Sequence, residues 1–538
     1  MKRKPSGQTF TSIATATGAL LLLSGCVKLG PDFKGITHTT LPKVQQQKHP
    51  HGTPAVVTWW KTFHDPTLNR LVRKAYAQNL DIKSAGLRIA QARAALGISQ
   101  GLAFPQVQTL SGKASSTHTG LGDVATGSLN FDMGWEMDLW GKYARGIESS
   151  EAQLYASVAS YDAIMVSVIA EVARNYVNYR TAQERLTYAK RNVIIQERVT
   201  TMTEIQFNSG NVSELDMQQA RTQLYNTRTS IPAIELTKVK ARNALALLLG
   251  TEGRTVDRLL HRVQSSTYTS ANQFIGRHKG IIQIKEGHKG LTDVNLIPIA
   301  AFNPHYKIDA NLLTRRPDIK AAEYLVHANS AQIGAKMADL YPSFSLFGNI
   351  GYNNSNQSGS WMTGSDALGI TIGPSFSWNI FNYGQIKNRI RLQDAKFEES
   401  LVNYNKSLLS AVSEVSNALN GYRLTKAQQT ENRKAVEATI RAFNISVAQY
   451  NDGLVSYQRL LTTVEKLTST QDRFASIKGN VALNIIALYK ALGGGWQINR
   501  GHAYISTALA EKMKARTDWG TLLDANHTIL PKGFYDDK

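Results

Sequence analysis

The feature that most constrains this chain is that it says most things twice. Asp81, Ile82 and Lys83 recur as Asp318, Ile319 and Lys320, 237 residues on, and Gly97 and Pro105 recur as Gly334 and Pro342 at the same offset. Further along the offset becomes 243: Glu171-Val172 match Glu414-Val415, Tyr179-Arg180 match Tyr422-Arg423, and Asn208 and Gly210 match Asn451 and Gly453. Leu249-Gly250 match Leu492-Gly493 at that offset too. A tandem duplication of a unit of about 240 residues follows, so one structural solution must serve both halves.

Each half reads alike. A first helix, at 67–100 and 318–340, ends near Phe104-Pro105 or Tyr341-Pro342, where proline stops the helix and favours extended chain. Two strands are expected next, at 105–117 and 127–140 in the first half and at 342–353 and 368–381 in the second. In the segment 127–141, Leu129, Phe131, Met133, Trp135, Met137 and Leu139 alternate with polar or small residues, Asp132, Glu136 and Asp138 among them. A period of two gives the strand one apolar face and one wet face. Strand 105–117 alternates poorly.

The stretches 142–208 and 385–451 contain no proline and one glycine each. At 1.5 Å per residue such a helix reaches about 100 Å. Apolar residues at spacings of 3 and 4 (Leu154, Val158, Tyr161, Met165, Val168, Val172, Tyr176, Tyr179; then Leu401, Tyr404, Leu408, Ala411, Val415, Leu419, Tyr422) mark a coiled-coil-like seam. Each helix turns back, at 207–216 and 450–459, into return helices 213–249 and 456–492. Gly210 and Gly453 suit left-handed helix ends, Ser213 and Ser456 suit N-caps, and Asp216 completes a capping box. Pro232 is expected to kink the first return helix.

The only cysteine, Cys26, follows a basic start (Lys2, Arg3, Lys4) and a short apolar run, so no intramolecular disulfide forms. The run is too short to span a bilayer and has the shape of a signal peptide. Leu23-Ser24-Gly25-Cys26 resembles the bacterial lipobox, which implies removal of residues 1–25 and a covalent lipid on Cys26. The mature chain would carry 58 basic against 40 acidic residues, a net +18 from the full chain's +21. That charge fits a basic solvated surface or an anionic partner, but no Arg/Lys block with interleaved aromatics points to nucleic acid. No later run of 18 apolar residues predicts a transmembrane helix.

Four strands cannot close a barrel, and lipid tolerates no open sheet edge. Three copies would supply twelve strands, within the range of membrane barrels. The face of Asp132, Glu136 and Asp138 would then line a wet lumen and the face of Trp135 would meet lipid. A soluble β-sandwich also alternates, but it leaves the lipobox and the long helices unexplained.

Five stretches in order, "CVKLGPDF" (26–33), "WWKTFHDPTLNRLV" (59–72), "WEMDLWGK" (135–142), "LLTRRPDIKAAE" (312–323) and "LYKALGGGW" (488–496), resemble the lipoprotein branch of the TolC-type outer-membrane factors. The resemblance implies an α+β membrane protein: a homotrimer with a 12-stranded barrel, a periplasmic helical tunnel and an equatorial α/β belt. It further implies a periplasmic adaptor, an inner-membrane transporter of the resistance-nodulation-division type, outer-membrane lipid as surroundings and passive export of small toxic compounds. Gly210, Val212, Ser213, Gly453, Leu454, Val455 and Ser456 become adaptor-docking tips, a role compatible with capping. Asp216, Asp452 and Thr462 become gate candidates, Thr462 standing where the family often has aspartate. A carboxylate ring there would repel itself and favour cations.

The expected partition is a leader 1–25, an anchored linker 26–58, repeats 59–250 and 312–496, an equatorial segment 251–311 holding the basic "RHKGIIQIKEGHKG", and a tail 497–538. No H-E-x-x-H, P-loop or G-x-S-x-G occurs, so no enzyme is expected, and none of the sequence implies a cofactor beyond the lipid. His49 and His51 lie in a Gln/Lys/Pro-rich linker and read as solvated rather than metal-binding. Two rival functions remain: the channel of a type I protein secretion system, and a lipid-anchored scaffold without a pore.

Overall fold

A computed structural model describes residues 27–36, 57–120, 122–261, 275–278, 281–284, 296–300, 313–356, 364–499 and 502–524. The leader, Cys26, His49 and His51 lie outside them, as do much of the basic insert and the end of the tail.

Helix α1 (Pro66–Gln78) starts on Asp65, whose carboxylate accepts from the amides of Thr67 and Leu68. The single helix expected over 67–100 is two, because Asn79 leaves helical geometry (φ −58°, ψ 134°) before α2 (Leu80–Gly101). Its side chain caps the Ile82 amide at 3.0 Å and donates to the Leu248 carbonyl at 2.9 Å. Strands β1 (Val107–Thr119) and β2 (Gly122–Met137) form a hairpin, followed by α3 (Lys142–Asn208) and α4 (Glu214–Leu248). A short α5 (Gly253–His261) and a small hairpin of β3 (Ile275–His278) and β4 (Ile281–Ile284) lie between the repeats. The second repeat gives α6 (Pro317–Ala338), β5 (Ser343–Ser355), β6 (Leu368–Ser377), α7 (Gln385–Asn451) and α8 (Tyr457–Ala491), and α9 (Thr507–Lys514) follows.

The long helices start and end where the proline-free stretches do. Pro232 sits inside α4 without ending it. Among the described helices α3 alone is long and apolar enough to cross a membrane by length and composition, and 67% of that window is buried inside the protein, as in a core helix.

The chain divides into two compact units. One holds the described residues of Met1–Thr39, Arg88–Val158 and Lys320–Lys406; the other those of Thr40–Leu87, Ala159–Ile319 and Ser407–Lys538. The first is built on a four-stranded antiparallel sheet in the order β1-β2-β5-β6, so β1 and β6 are its edges. β1 is a full strand despite its weak alternation, because polar cross-strand pairs such as Ser115 with Thr126 (2.7 Å) support it. The second unit is mainly helical and holds the β3–β4 hairpin. Ile195 and Val199 of α3, Ala220 of α4, Phe443 and Val447 of α7, and Leu460 and Val464 of α8 share one buried cluster. Ile284 of β4 joins it, and the Asn444 side chain bonds both the amide and the carbonyl of Ile284 at 2.8 Å.

Candidate functional site

The register of the sheet sorts its side chains onto two faces. Leu110, Phe131, Ile350 and Ile370 lie in one row across all four strands, and Gly112, Leu129, Tyr352 and Leu368 in the next. Trp135, Leu346 and Pro374 continue this apolar face, as do Met137, Phe344 and Phe376. Ile370, Ile372 and Phe376 are each about 70% exposed (68%, 71% and 71%), far more than water normally allows for such side chains in one band. The opposite face reads Thr109, Asp132, Asn349, Thr371, then Ser111, Asn130, Gly351, Gly369. One sheet thus presents a greasy surface and a wet one.

The three acidic residues expected on the wet face divide. Asp132 lies on it and accepts from Asn349 Nδ2 at 2.7 Å. Glu136 lies on it too, bound by Tyr143 Oη at 2.9 Å and Lys142 Nζ at 3.3 Å. Lys142 also reaches Asp339 at 3.6 Å, at a polar cavity of ≈ 200 Å³. Asp138 is not a strand residue: β2 stops at Met137, and the Asp138 carboxylate turns back to accept from the amides of Tyr143 (3.1 Å) and Ala144 (2.7 Å) at the start of α3. The strand therefore ends three residues short of 140, because the helix start recruits its last carboxylate. β6 likewise stops at Ser377 rather than 381, where its partner β5 begins.

At the helix tips, Gly210 (φ +74°) and Gly453 (φ +71°) take the left-handed conformation. Ser213 and Asp216 form a complete capping box on α4. Ser456 occupies the N-cap of α8 but makes no side-chain capping bond. Val212 and Val455 pack on the buried cluster, whereas Leu454 is 73% exposed. Of the gate candidates, Asp216 is half-buried, committed to Ser213 at 2.7 Å, and near Tyr450 and Tyr457. Burial pushes both tyrosine hydroxyls up, and the Asp216 carboxylate adds to it. Asp452 and Thr462 are exposed, Thr462 donating to the Gln458 carbonyl at 2.9 Å.

The family-like stretches are joints. Trp59 stacks on Tyr489 (5.4 Å) and donates to the Gly494 carbonyl. Arg316, 7% exposed, binds Asp318, Glu414 and the Ala491 carbonyl. Trp140 stacks on Tyr341 (4.8 Å) and donates to the Pro342 carbonyl. Residues 27–36 form a strap fastened by Arg145, which holds the Asp32 carboxyl below its usual range by hydrogen bond and charge. The roles of Arg145, Arg316 and the buried Glu184–Lys478 pair (2.6 Å) escaped sequence reading, since nothing local marks the distant partners that Asp32, Glu414 and, for Glu184, Lys478 turn out to be. No group of His, Cys, Asp and Glu that could hold a metal occurs among the described residues.

An amphipathic antiparallel sheet with paired long helices is the build of an outer-membrane channel subunit. The family model described as outer membrane efflux protein matches residues 71–251 and 310–494, one segment in each repeat, and the chain belongs to that family. The probable outer membrane lipoprotein SilC of Salmonella typhimurium is 28% identical over 489 residues, covering 89% of this chain and 97% of SilC. The toluene efflux pump outer membrane protein TtgI of Pseudomonas putida is 27% identical over 506 residues, covering 90% and 98%. The solved structure of the outer-membrane channel OprN superimposes with a TM-score of 0.68 at 28% identity, covering 87% of this chain and all of that one. The protein is therefore an outer-membrane efflux protein, and TtgI and OprN are named for an efflux pump and a channel rather than for catalysis.

Proposed function

We propose that three copies close a 12-stranded barrel in the outer membrane, continued by a periplasmic helical tunnel, and that this channel passively exports small toxic compounds. An adaptor docks at the tips (Gly210, Val212, Ser213, Gly453, Leu454, Val455, Ser456), and an inner-membrane transporter of the resistance-nodulation-division type powers the flow. The chain is acylated at Cys26. The carrying observation is a four-stranded sheet with one apolar face, one polar face and two edges, β1 and β6, that no strand of the chain covers among the described residues.

The duplication supplies the closing joint. Trp135 repeats as Trp378, and their indoles donate to equivalent carbonyls, Ala103 (3.2 Å) and Leu340 (3.0 Å). Gly134 faces Val107 in the first hairpin, while its counterpart Ser377 faces Ser343 in the second, so Val107 corresponds to Ser343 and Leu110 to Leu346. The strands are thus offset one residue less than the prolines before them, Gln106 being the extra residue. Within the chain Trp135 faces Leu346 and Gly134 faces Phe347. Carried over by the repeat, Trp378 faces Leu110 of the next copy and Ser377 faces its Ser111. Both faces then stay continuous around the ring, as closure in lipid demands.

Growth of a deletion strain on a panel of dyes, antibiotics, detergents and metal salts tests the export. Hypersensitivity to several unrelated amphiphiles, restored by the wild-type gene, is expected. An unchanged panel together with lost extracellular proteins would favour type I secretion, and absence of conductance in planar bilayers would favour a scaffold.

A further inference from the structure

Arg145 is 1% exposed, and most of what its guanidinium touches belongs to one segment. Nε donates to the Leu29 carbonyl (2.9 Å), and Nη2 donates to the Gly30 carbonyl (3.2 Å) and to Asp32 Oδ1 (2.7 Å). Nη1 meets Glu148 at 2.9 Å, which in turn faces Lys28 (3.8 Å) and His327 (3.1 Å). Phe33 stacks on His327 at 4.7 Å. The backbone of Gly30 (φ +83°) lies so close to α6 that a Cβ there would stand 2.5 Å from the Gly334 Cα. A Cβ on Gly334 would strike the Leu29 carbonyl, and one on Gly141 would stand 2.8 Å from the Lys28 Cα. The Val27 amide bonds to the Leu139 carbonyl (3.2 Å), two residues beyond the end of β2.

The second repeat serves as an internal control. Arg145 corresponds to Asn388, Gly141 to Gly384 and Gly334 to Gly97. Nothing lies within 4 Å of a Cβ on Gly97, and only Asn388 Nδ2, at 3.8 Å, approaches one on Gly384. A helix of the same length, 67 residues, thus starts with Asn388 in place of the arginine, and among the described residues no strap packs on its start. The arginine and the tight glycine contacts answer to the strap, not to the helix start.

We infer that Arg145 is the positioning residue of the lipid anchor: it clamps Leu29–Asp32 so that the acylated Cys26, one residue before Val27, is held at the end of β2. The inference rests on acylation of Cys26 as proposed above. The clamp fixes the height of the anchor relative to the sheet, so that the lipid enters the bilayer beside the rim of the barrel. Without it the chain stays tethered, but by a slack strap.

The test uses the full-length lipoprotein in native outer membranes, labelled with palmitate. Trypsin cleavage after the exposed Lys34 is timed for wild type, Arg145→Ala, Arg145→Lys and Gly30→Ala. Proteolysis follows local opening. Gly30→Ala drives the strap off the α6 backbone at Gly334 and leaves the arginine in place, so it separates release of the strap from loss of the guanidinium. Arg145→Ala and Gly30→Ala should both be cleaved there on the order of tenfold faster, Arg145→Lys less so, with cleavage outside the strap unchanged and the palmitate leaving with the short peptide. Wild-type rates in both variants would overturn the clamp, and so would acceleration spread over the whole chain. A wild-type protein without palmitate would instead overturn the acylation of Cys26, while the cleavage rates would still report on the clamp.

Discussion

Glu184 of α3 and Lys478 of α8 are 0% and 6% exposed and meet at 2.6 Å, with the Leu296 amide donating to the same carboxylate. Burial pushes the Glu184 carboxyl up and the Lys478 ammonium opposes that shift. A carboxyl held above its ordinary value in the fold contributes stability at acid pH that is lost as pH rises through the folded value. Lys478→Met removes the opposing charge. The variant should therefore melt nearly as the wild type near pH 4 and lose stability progressively towards pH 8, approaching about 3–5 kcal/mol. A further Glu184→Gln change should recover most of that loss and flatten the pH dependence. Thermal unfolding of the detergent-extracted protein across that range checks the sign; a loss that shrinks as pH rises would contradict it. None of this was legible in the sequence, because periodicity marks which positions are buried but not which polar residues meet. Asp138 shows the same limit: alternation placed it on the wet strand face, yet a carboxylate bonding amides five and six residues ahead leaves no pattern of its own.

At the scale of the element, the two tips look alike in sequence and differ in the structure. Ser213 and Asp216 bond each other's backbone, whereas Ser456 makes no side-chain bond at its N-cap. Ser213→Ala should cost about 1 kcal/mol of local stability and Ser456→Ala almost nothing. Amide exchange over the first turns of α4 and α8 measures the contrast, and equal losses at both would refute the difference. Asp216→Asn is expected to weaken the cap and, if a ring of Asp216 forms the gate, to lower cation selectivity in single-channel recordings. Unchanged selectivity would leave Asp216 as a cap alone. The long helices were the most readable elements. All eight seam residues chosen in α3, from Leu154 to Tyr179, are buried, and spacing alone found them. In α7 the seam drifts, with Leu401 and Leu419 only half-buried and Ala418 buried instead. Where the turn into extended chain depended on a single side chain, as at Asn79, composition gave no warning.

For the whole molecule, the proposed barrel makes one chain a third of a ring, and the duplication says how the ring closes. Its first repeat leans on its second through β2 and β5, and in the proposed barrel the same joint is repeated outward to another copy. Cross-linking tests this most directly. Ser377 and Ser111 sit on the polar face of opposite sheet edges, and Cys26 is the only native cysteine. Residues directly opposite in an antiparallel pair bring Cβ atoms within about 5 Å, close to disulfide reach. Full-length protein carrying Ser377→Cys and Ser111→Cys should give linked dimers and trimers on oxidation in native membranes, whereas Ser377→Cys with Lys113→Cys, two residues out of register, should give far fewer. Monomers alone from the in-register pair, or equal yields from both pairs, would contradict a barrel closed by the chain's own repeat.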